Sequence, residues 1–146
     1  MFTPLDLPPA VLRIEGSEVF DIVRKKFVHL TPEEWVRQHI LHFLISHKKF
    51  PAGLIEVEKT IKVFNTTKRV DILVRTPDLK PLLLVECKAP GVSITQKEAE
   101  QLARYQITLR AHLSFLSNGN QHIIMKHSEG KISYLAELPA YSQPVV

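Results

Sequence analysis

The sequence has one cysteine, one tryptophan and only five glycines in 146 residues. The lone Cys87 excludes an internal disulfide and suits a reducing cytoplasm. It reads as a small buried hydrophobe rather than a nucleophile. None of the glycines sits in a phosphate-cradling loop, so nucleotide binding has no support. No apolar run reaches the roughly 20 residues of a membrane span, and the opening Met1-Phe-Thr-Pro-Leu-Asp6 lacks the basic and apolar segments of a secretory signal. There is no internal repeat and no low-complexity tract. What is present is ordinary for a soluble protein: 45% hydrophobic and 23% charged residues, in a chain long enough for one domain with its own core.

The net charge of +4 is unevenly placed. Between Lys59 and Arg69 the chain carries Lys59, Lys62, Lys68 and Arg69 with no acid among them, and Lys25-Lys26 and Lys48-Lys49 add two doublets. Such a surface attracts polyanions, nucleic acid first among them. The competing reading is a set of solubilising lysines. The seven histidines include His39-x2-His42, but with one cysteine and no second ligand pair they read as packing or solvated side chains rather than a zinc site. Trp35 reads as core or interface.

Residues 1–17, with Pro4, Pro8 and Pro9, read as an extended arm. Residues 18–138 form the domain, and 139–146 are a tail. Residues 18–30 fit a short helix or a strand. Thr31-Pro32-Glu33-Glu34 is a helix start, with Thr31 as N-cap, proline in the first turn and Glu34 closing a capping box. The stripe Val36, Ile40, Phe43, Leu44 and His47 carries that helix to about residue 47. Strands are expected at 53–64 and 68–75 around a turn at Asn65-Thr66-Thr67, and a loop at 76–80 leads to a strand at 81–88. Ser93 or Thr95 caps a second helix running to about Arg110, with Glu98 placed for a capping box. Strands at 112–117, 121–127 and 131–137 follow, with turns at Asn118-Gly119 and Glu129-Gly130. This is an α/β chain with an αβββαβ core, a mixed sheet flanked by helices and an added C-terminal antiparallel meander. The second helix makes strands 81–88 and 112–117 parallel neighbours.

The chemistry concentrates at Glu86-Cys87-Lys88. Alternation puts Leu82, Leu84, Glu86 and Lys88 on one face and Leu83, Val85 and Cys87 on the other, so two charges end a strand that is apolar on both faces. Such charges are costly unless they pair or bind something. In the preceding strand Asp71 and Leu73 fall on one side and Val70, Ile72 and Val74 on the other. Symmetric closure of a 76–81 loop sets Asp71 opposite Glu86, with Cβ atoms roughly 4.5–5.5 Å apart. Two carboxylates that close repel, and a divalent cation between them removes the repulsion. Two other acid-x-lysine triplets, Asp78-x-Lys80 and Glu129-x-Lys131, lie in a loop and across a turn. The competing reading of Asp71, Glu86 and Lys88 is a structural salt-bridge triad.

Asp71 followed by Glu86-x-Lys88 resembles the core motif of the PD-(D/E)xK nuclease superfamily, and Gln101-Leu-Ala-Arg-Tyr105 resembles the QxxxY motif of one branch. The strings Arg24-Lys-Lys-Phe-Val28, Leu30-Thr-Pro-Glu-Glu-Trp-Val-Arg-Gln38, Leu84-Val-Glu-Cys-Lys-Ala-Pro90 and Ser117-Asn-Gly119 resemble the N-terminal nuclease domain of type I restriction enzyme R subunits over roughly residues 20 to 127. The resemblance implies a restriction-endonuclease-like fold and metal-dependent hydrolysis of DNA phosphodiester bonds, linked to restriction or repair. It implies Mg²⁺, replaceable by Mn²⁺, held by Asp71, Glu86 and the Cys87 carbonyl. Lys88 would orient the attacking water and stabilise the phosphate, and Glu34 would support the metal shell; a capping box alone also explains Glu34. Gln101 and Tyr105 would contact the DNA backbone or place the lysine, and Lys68 and Arg69 would bind DNA. Glu56 and Glu58 can join the site, although polar residues on an edge strand need no such role. R subunits continue into a motor domain; this sequence stops before one, so ATP-driven restriction by it alone is not expected. A double-strand break would need a homodimer or a partner subunit. The alternative is a catalytically silent nucleic-acid-binding or assembly module of the same fold.

Overall fold

The computed structural model describes residues 2–142; Met1 of the expected arm and residues 143–146 of the expected tail lie outside the described residues. Six strands form one sheet in chain order: β4 (Ile55–Val63), β5 (Thr66–Arg75), β6 (Pro81–Cys87), β7 (Leu113–Ser117), β8 (His122–Ser128) and β9 (Lys131–Leu135). Only β6 and β7 run parallel, with α2 (Gln96–Leu109) as the crossover between them. The mixed sheet, the parallel pair and the C-terminal meander agree with the sequence reading. Residues 18–30, ambiguous by pattern, are strands. β2 (Glu18–Asp21) and β3 (Lys26–His29) join β1 (Ile14–Glu15) in a small antiparallel sheet, which therefore begins inside the segment read as an arm.

Helices cover both faces of the large sheet. On one face α1 (Pro32–His42), extended by a wider turn through Phe43–His47, buries Val36, Ile40, Leu41 and Leu44 against Ile72, Val74, Leu83 and Val85. On the other, α2 buries Ala99 and Leu102 against Val70, Leu73, Leu84, Leu116 and Met125. Each fully buried aliphatic side chain contributes about 1.5–3 kcal/mol. Thr95 and Glu98 close the capping box expected for α2. At α1, Thr31 Oγ1 accepts from the Glu34 amide at 3.0 Å, but the Glu34 carboxylate does not return to cap Thr31. It turns inward to two arginines and a glutamine, because those partners are charged or buried and the cap amide is not.

The alternation along β5 breaks at Asp71. Ile72 and Val74 face α1 as expected, yet Val70 packs with Leu73 on the α2 side. The opposing strand switches at the same level: Val57 packs toward α1 and Ile61 toward α2. Between the pairs Val57↔Ile72 and Lys59↔Val70, Glu58 adopts φ +54° and drops out of the ladder with Asp71. A left-handed residue inside a strand adds twist and re-aims the side chains on either side of it.

Residues 2–13 run extended over the domain. Phe2 stacks on Trp35 at 5.2 Å, the Trp35 indole N–H donates to the Thr3 carbonyl at 2.9 Å, and the Asp6 amide donates to the Gly119 carbonyl at 2.8 Å. Gly119 has φ +90°, and a Cβ there would stand 2.6 Å from a methyl of Leu5. Trp35 thus anchors the arm.

Candidate active site

The β5–β6 ladder pairs Ile72↔Val85, Leu73↔Leu84 and Val74↔Leu83, the register read from the sequence, and then stops. The next two positions are Asp71 and Glu86. There the strands part: β6 stays on β7 through Cys87↔Ser117, while β5 leans toward β4. The Asp71 carboxylate fills the gap, and its Oδ2 accepts the Cys87 amide at 2.7 Å in place of a backbone carbonyl. Asp71 and Glu86 therefore meet at a fork between two strands rather than across a continuous ladder.

Glu86 is poorly compensated. Its side chain is 16% exposed, and its Oε1 is buried with no hydrogen-bond partner; the Lys68 ammonium stands 3.7 Å away, too far to donate. Burial first, and then the neighbouring Asp71 charge, push its pKa up to about 7, with Lys68 and Lys88 only partly offsetting them. Burial also raises Asp71, opposed by the Cys87 amide and by Arg37. Cys87 is buried and its thiol is pushed well up by burial, which fits its reading as packing.

Lys88 follows at the open end of β6. Its Nζ lies 2.9 Å from Glu98 Oε2 on the first turn of α2, and that bond raises its pKa, so it stays an ammonium. Lys68, Glu86, Lys88, Glu98, Gln101 and Tyr105 line one small cleft between the sheet and α2. Gln101 and Tyr105 are a helical turn apart and joined by a 3.1 Å hydrogen bond, and the Lys68 ammonium sits 5.6 Å from the Tyr105 ring centroid. Arg69 does not enter this cleft; it is exposed and its side chain alternates to the opposite face from Lys68. Glu98, read only as a cap, is the cleft residue that sequence reasoning missed.

Behind Asp71 lies a buried ionic network. Arg37, 8% exposed, forks onto Glu34 at 2.7 and 2.9 Å and reaches Glu58 at 3.2 Å and Asp71 Oδ1 at 3.3 Å. Arg24 binds Asp21 at 2.9 Å, Glu34 at 3.2 Å and Glu58 at 3.3 Å. Gln38 donates from one amide nitrogen to Asp21 and Glu34, both at 2.9 Å. The carboxyl pKa values of Asp21 and Glu34 are both held down: burial, the largest influence, opposes this, but hydrogen bonds and arginine charges outweigh it. Glu34 thus reaches Asp71 through Arg37, not directly. The signals were there in part: Arg37 and Gln38 stand three and four residues after Glu34, the spacing of one helix face. Glu58 and Arg24 join only through the fold.

The donor set suits a hard divalent cation. Two carboxylates at the fork share too little positive charge, and one buried oxygen has no partner; both defects are relieved by an oxygen-seeking ion. Among the described residues, no three histidine, cysteine, aspartate or glutamate side chains gather into a metal-holding group. An ion here would take two carboxylates, a backbone carbonyl and water. His39 binds the Trp35 carbonyl through Nδ1 at 2.8 Å and packs edge-on to the indole, as a packing histidine does.

No helix among the described residues is long and apolar enough to cross a membrane. The sequence model of the family described as type I restriction enzyme R protein N terminus matches residues 32–139. No curated protein matches the chain. Among solved structures, a fragment described as the HsdR subunit of a type I restriction enzyme from Vibrio vulnificus YJ016 is similar in fold, with a TM-score of 0.56 at 19% identity over 76% of this chain. The chain spans 24% of that structure's length. With the family match covering most of the sequence, both helices and the fork at Asp71 and Glu86, the chain belongs to the family of type I restriction enzyme R protein N-terminal domains.

Proposed function

We propose that the domain is a divalent-metal-dependent nuclease that hydrolyses DNA phosphodiester bonds in the cleft between β6 and α2. The observation that carries this reading is the buried, unpartnered Glu86 oxygen beside Asp71 where the sheet forks. Asp71, Glu86 and the Cys87 carbonyl would hold Mg²⁺, for which Mn²⁺ would substitute. When bound, the ion supplies a polarised phosphoryl oxygen and a water acidified enough to attack.

The chain's own residues do the rest. The Cys87 amide and Arg37 fix the Asp71 carboxylate, so its orientation is set before any ligand arrives. Lys88, held protonated by Glu98, supplies positive charge for a phosphate rather than a base for water. Lys68, Gln101 and Tyr105 offer a cation and hydrogen-bond donors on the cleft wall, where a DNA strand would pass. One cleft cuts one strand, so a double-strand break needs a second copy or a partner subunit.

A second reading, a silent DNA-binding or assembly module, draws on one observation: Asp71 is already paired with Arg37, and Lys88 with Glu98. Incubating the full chain with labelled single-stranded, duplex and branched DNA in Mg²⁺ or Mn²⁺ separates the two. The nuclease reading expects cleavage that EDTA stops and Lys88→Ala lowers by about 10²–10³ while DNA binding survives. Binding without cleavage of any of the three substrates establishes the silent module.

A further inference from the structure

The hairpin of β4 and β5 projects past the cleft and ends in a two-residue loop, Phe64-Asn65, closed by the pair Val63↔Thr66. Phe64 has φ +56° and is 83% exposed. That backbone region favours glycine or asparagine, and no packing within the domain compensates for placing an aromatic ring there. A loop selected only to join two strands has no use for phenylalanine at this position.

The surroundings are cationic on both faces. By register, Lys59 and Lys68 lie on the α2 side, while Lys62 and Arg69 lie on the other, facing solvent. Among the described residues, Lys62 and Arg69 form no ion pair. Leu79, exposed with φ +67° at the far end of β5, provides a contrast. It is not aromatic, its loop is neutralised by an Asp78–Lys80 pair, and it lies away from the fork. Phe64 lies at the same end as the fork, and Lys68 is shared between the hairpin and the cleft.

We infer that the β4–β5 hairpin is a DNA-contacting finger whose Phe64 ring stacks on a base of the strand that enters the cleft. This inference rests on the nuclease reading and extends it to the substrate. The partner is nucleic acid because Lys62 and Arg69 flank the ring without an ion pair among the described residues, and the sequence holds no acid from Lys59 to Arg69. Bases stack on exposed aromatics irrespective of sequence, while lysine and arginine track the phosphates. Phe64 and Lys68 are four positions apart. At about 3.3 Å per strand residue this is at most about 13 Å, the span of a few nucleotides of a single strand. The stacked base therefore lies a few nucleotides from the phosphate that Lys68 contacts, and a strand with an unpaired base at that place is the favoured ligand.

The test is binding of the full chain to a fluorescent single-stranded oligonucleotide in EDTA at low salt, where no cleavage is needed. Phe64→Asn suits the left-handed loop better than phenylalanine and lacks the ring, so it separates a DNA role from a structural one. It is expected to keep or raise the melting temperature and to weaken binding about tenfold, whereas Phe64→Tyr keeps native affinity. The fluorescence added by Phe64→Trp, over that of the native chain, is expected to be quenched by the oligonucleotide and less by an oligonucleotide abasic at the stacked position. Binding by Phe64→Asn within twofold of native overturns the inference. If the native chain still binds and cuts DNA, that result leaves the nuclease reading standing; a native chain that neither binds nor cuts DNA ends both.

Discussion

Arg37 Nη1 lies 3.3 Å from Asp71 Oδ1, so the candidate metal-binding carboxylate is held from α1 by a buried guanidinium. The same guanidinium forks onto Glu34, which is 4% exposed. Asp71 is therefore oriented by helix α1, from the opposite face of the sheet to the cleft and α2.

Removing that support leaves Glu34 buried with less compensation. Arg37→Met is expected to cost about 3–5 kcal/mol in urea unfolding at neutral pH. Combining it with Glu34→Gln should recover part of the loss, because the uncompensated charge goes with it. Additive losses in the double variant would show that the pair is not coupled.

Glu86 gives a pH signature. Its pKa in the folded chain is about 7, above its ordinary 4.5, so the native state binds the proton more tightly than the unfolded state. Its contribution is fully present below about pH 4.5 and is lost as pH rises to about 7. Glu86→Gln, which cannot ionise, should match native stability near pH 4.5 and exceed it by on the order of 2–3 kcal/mol at pH 8 without metal. Millimolar Mg²⁺ should raise the native chain toward the variant. A stability difference that does not change with pH would contradict the raised pKa.

Lys88→Ala should lower single-turnover cleavage by about 10²–10³, the loss typical of one preorganised charge at a transition state, with oligonucleotide affinity within a few fold of native. Glu98→Gln removes the bond that holds the lysine ammonium and should leave cleavage measurable while moving the alkaline limb of the pH–rate profile to lower pH. An unmoved limb would mean that Glu98 does not govern Lys88.

Gly119→Ala tests the docked arm. Leu5 can swing away from the new methyl, but φ +90° at residue 119 remains. A loss of about 1–3 kcal/mol is expected, with Trp35 fluorescence altered as the arm loosens. Unchanged fluorescence would mean that the arm does not depend on this contact.

Much of this was legible in the sequence because it is local or set by short loops. The expected register of Asp71 and Glu86 holds, although the loop closes one residue tighter, at Arg75↔Pro81, and a bulge between Val74 and Arg75 makes up the difference; Thr95 with Glu98 marked the start of α2. The face switch at Glu58 and Asp71 was not legible, since neither glycine nor proline marks a residue forced to φ +54°. Nor was the second role of Glu34: its spacing after Thr31 is that of a capping box, and only the fold brings Arg24 and Arg37 to compete for the carboxylate. The 18–30 segment was ambiguous because its apolar residues suit both periods until β2 pairs with β1 on one side and β3 on the other.

Anomalous diffraction from a crystal of the chain soaked in Mn²⁺ tests the metal site at the fork most directly. One peak about 2.1 Å from oxygens of both Asp71 and Glu86 is expected, with the Cys87 carbonyl as a further ligand. Saturating Mn²⁺ that leaves no peak at the fork, with Arg37 still on Asp71 and Glu86 unmoved, would contradict it.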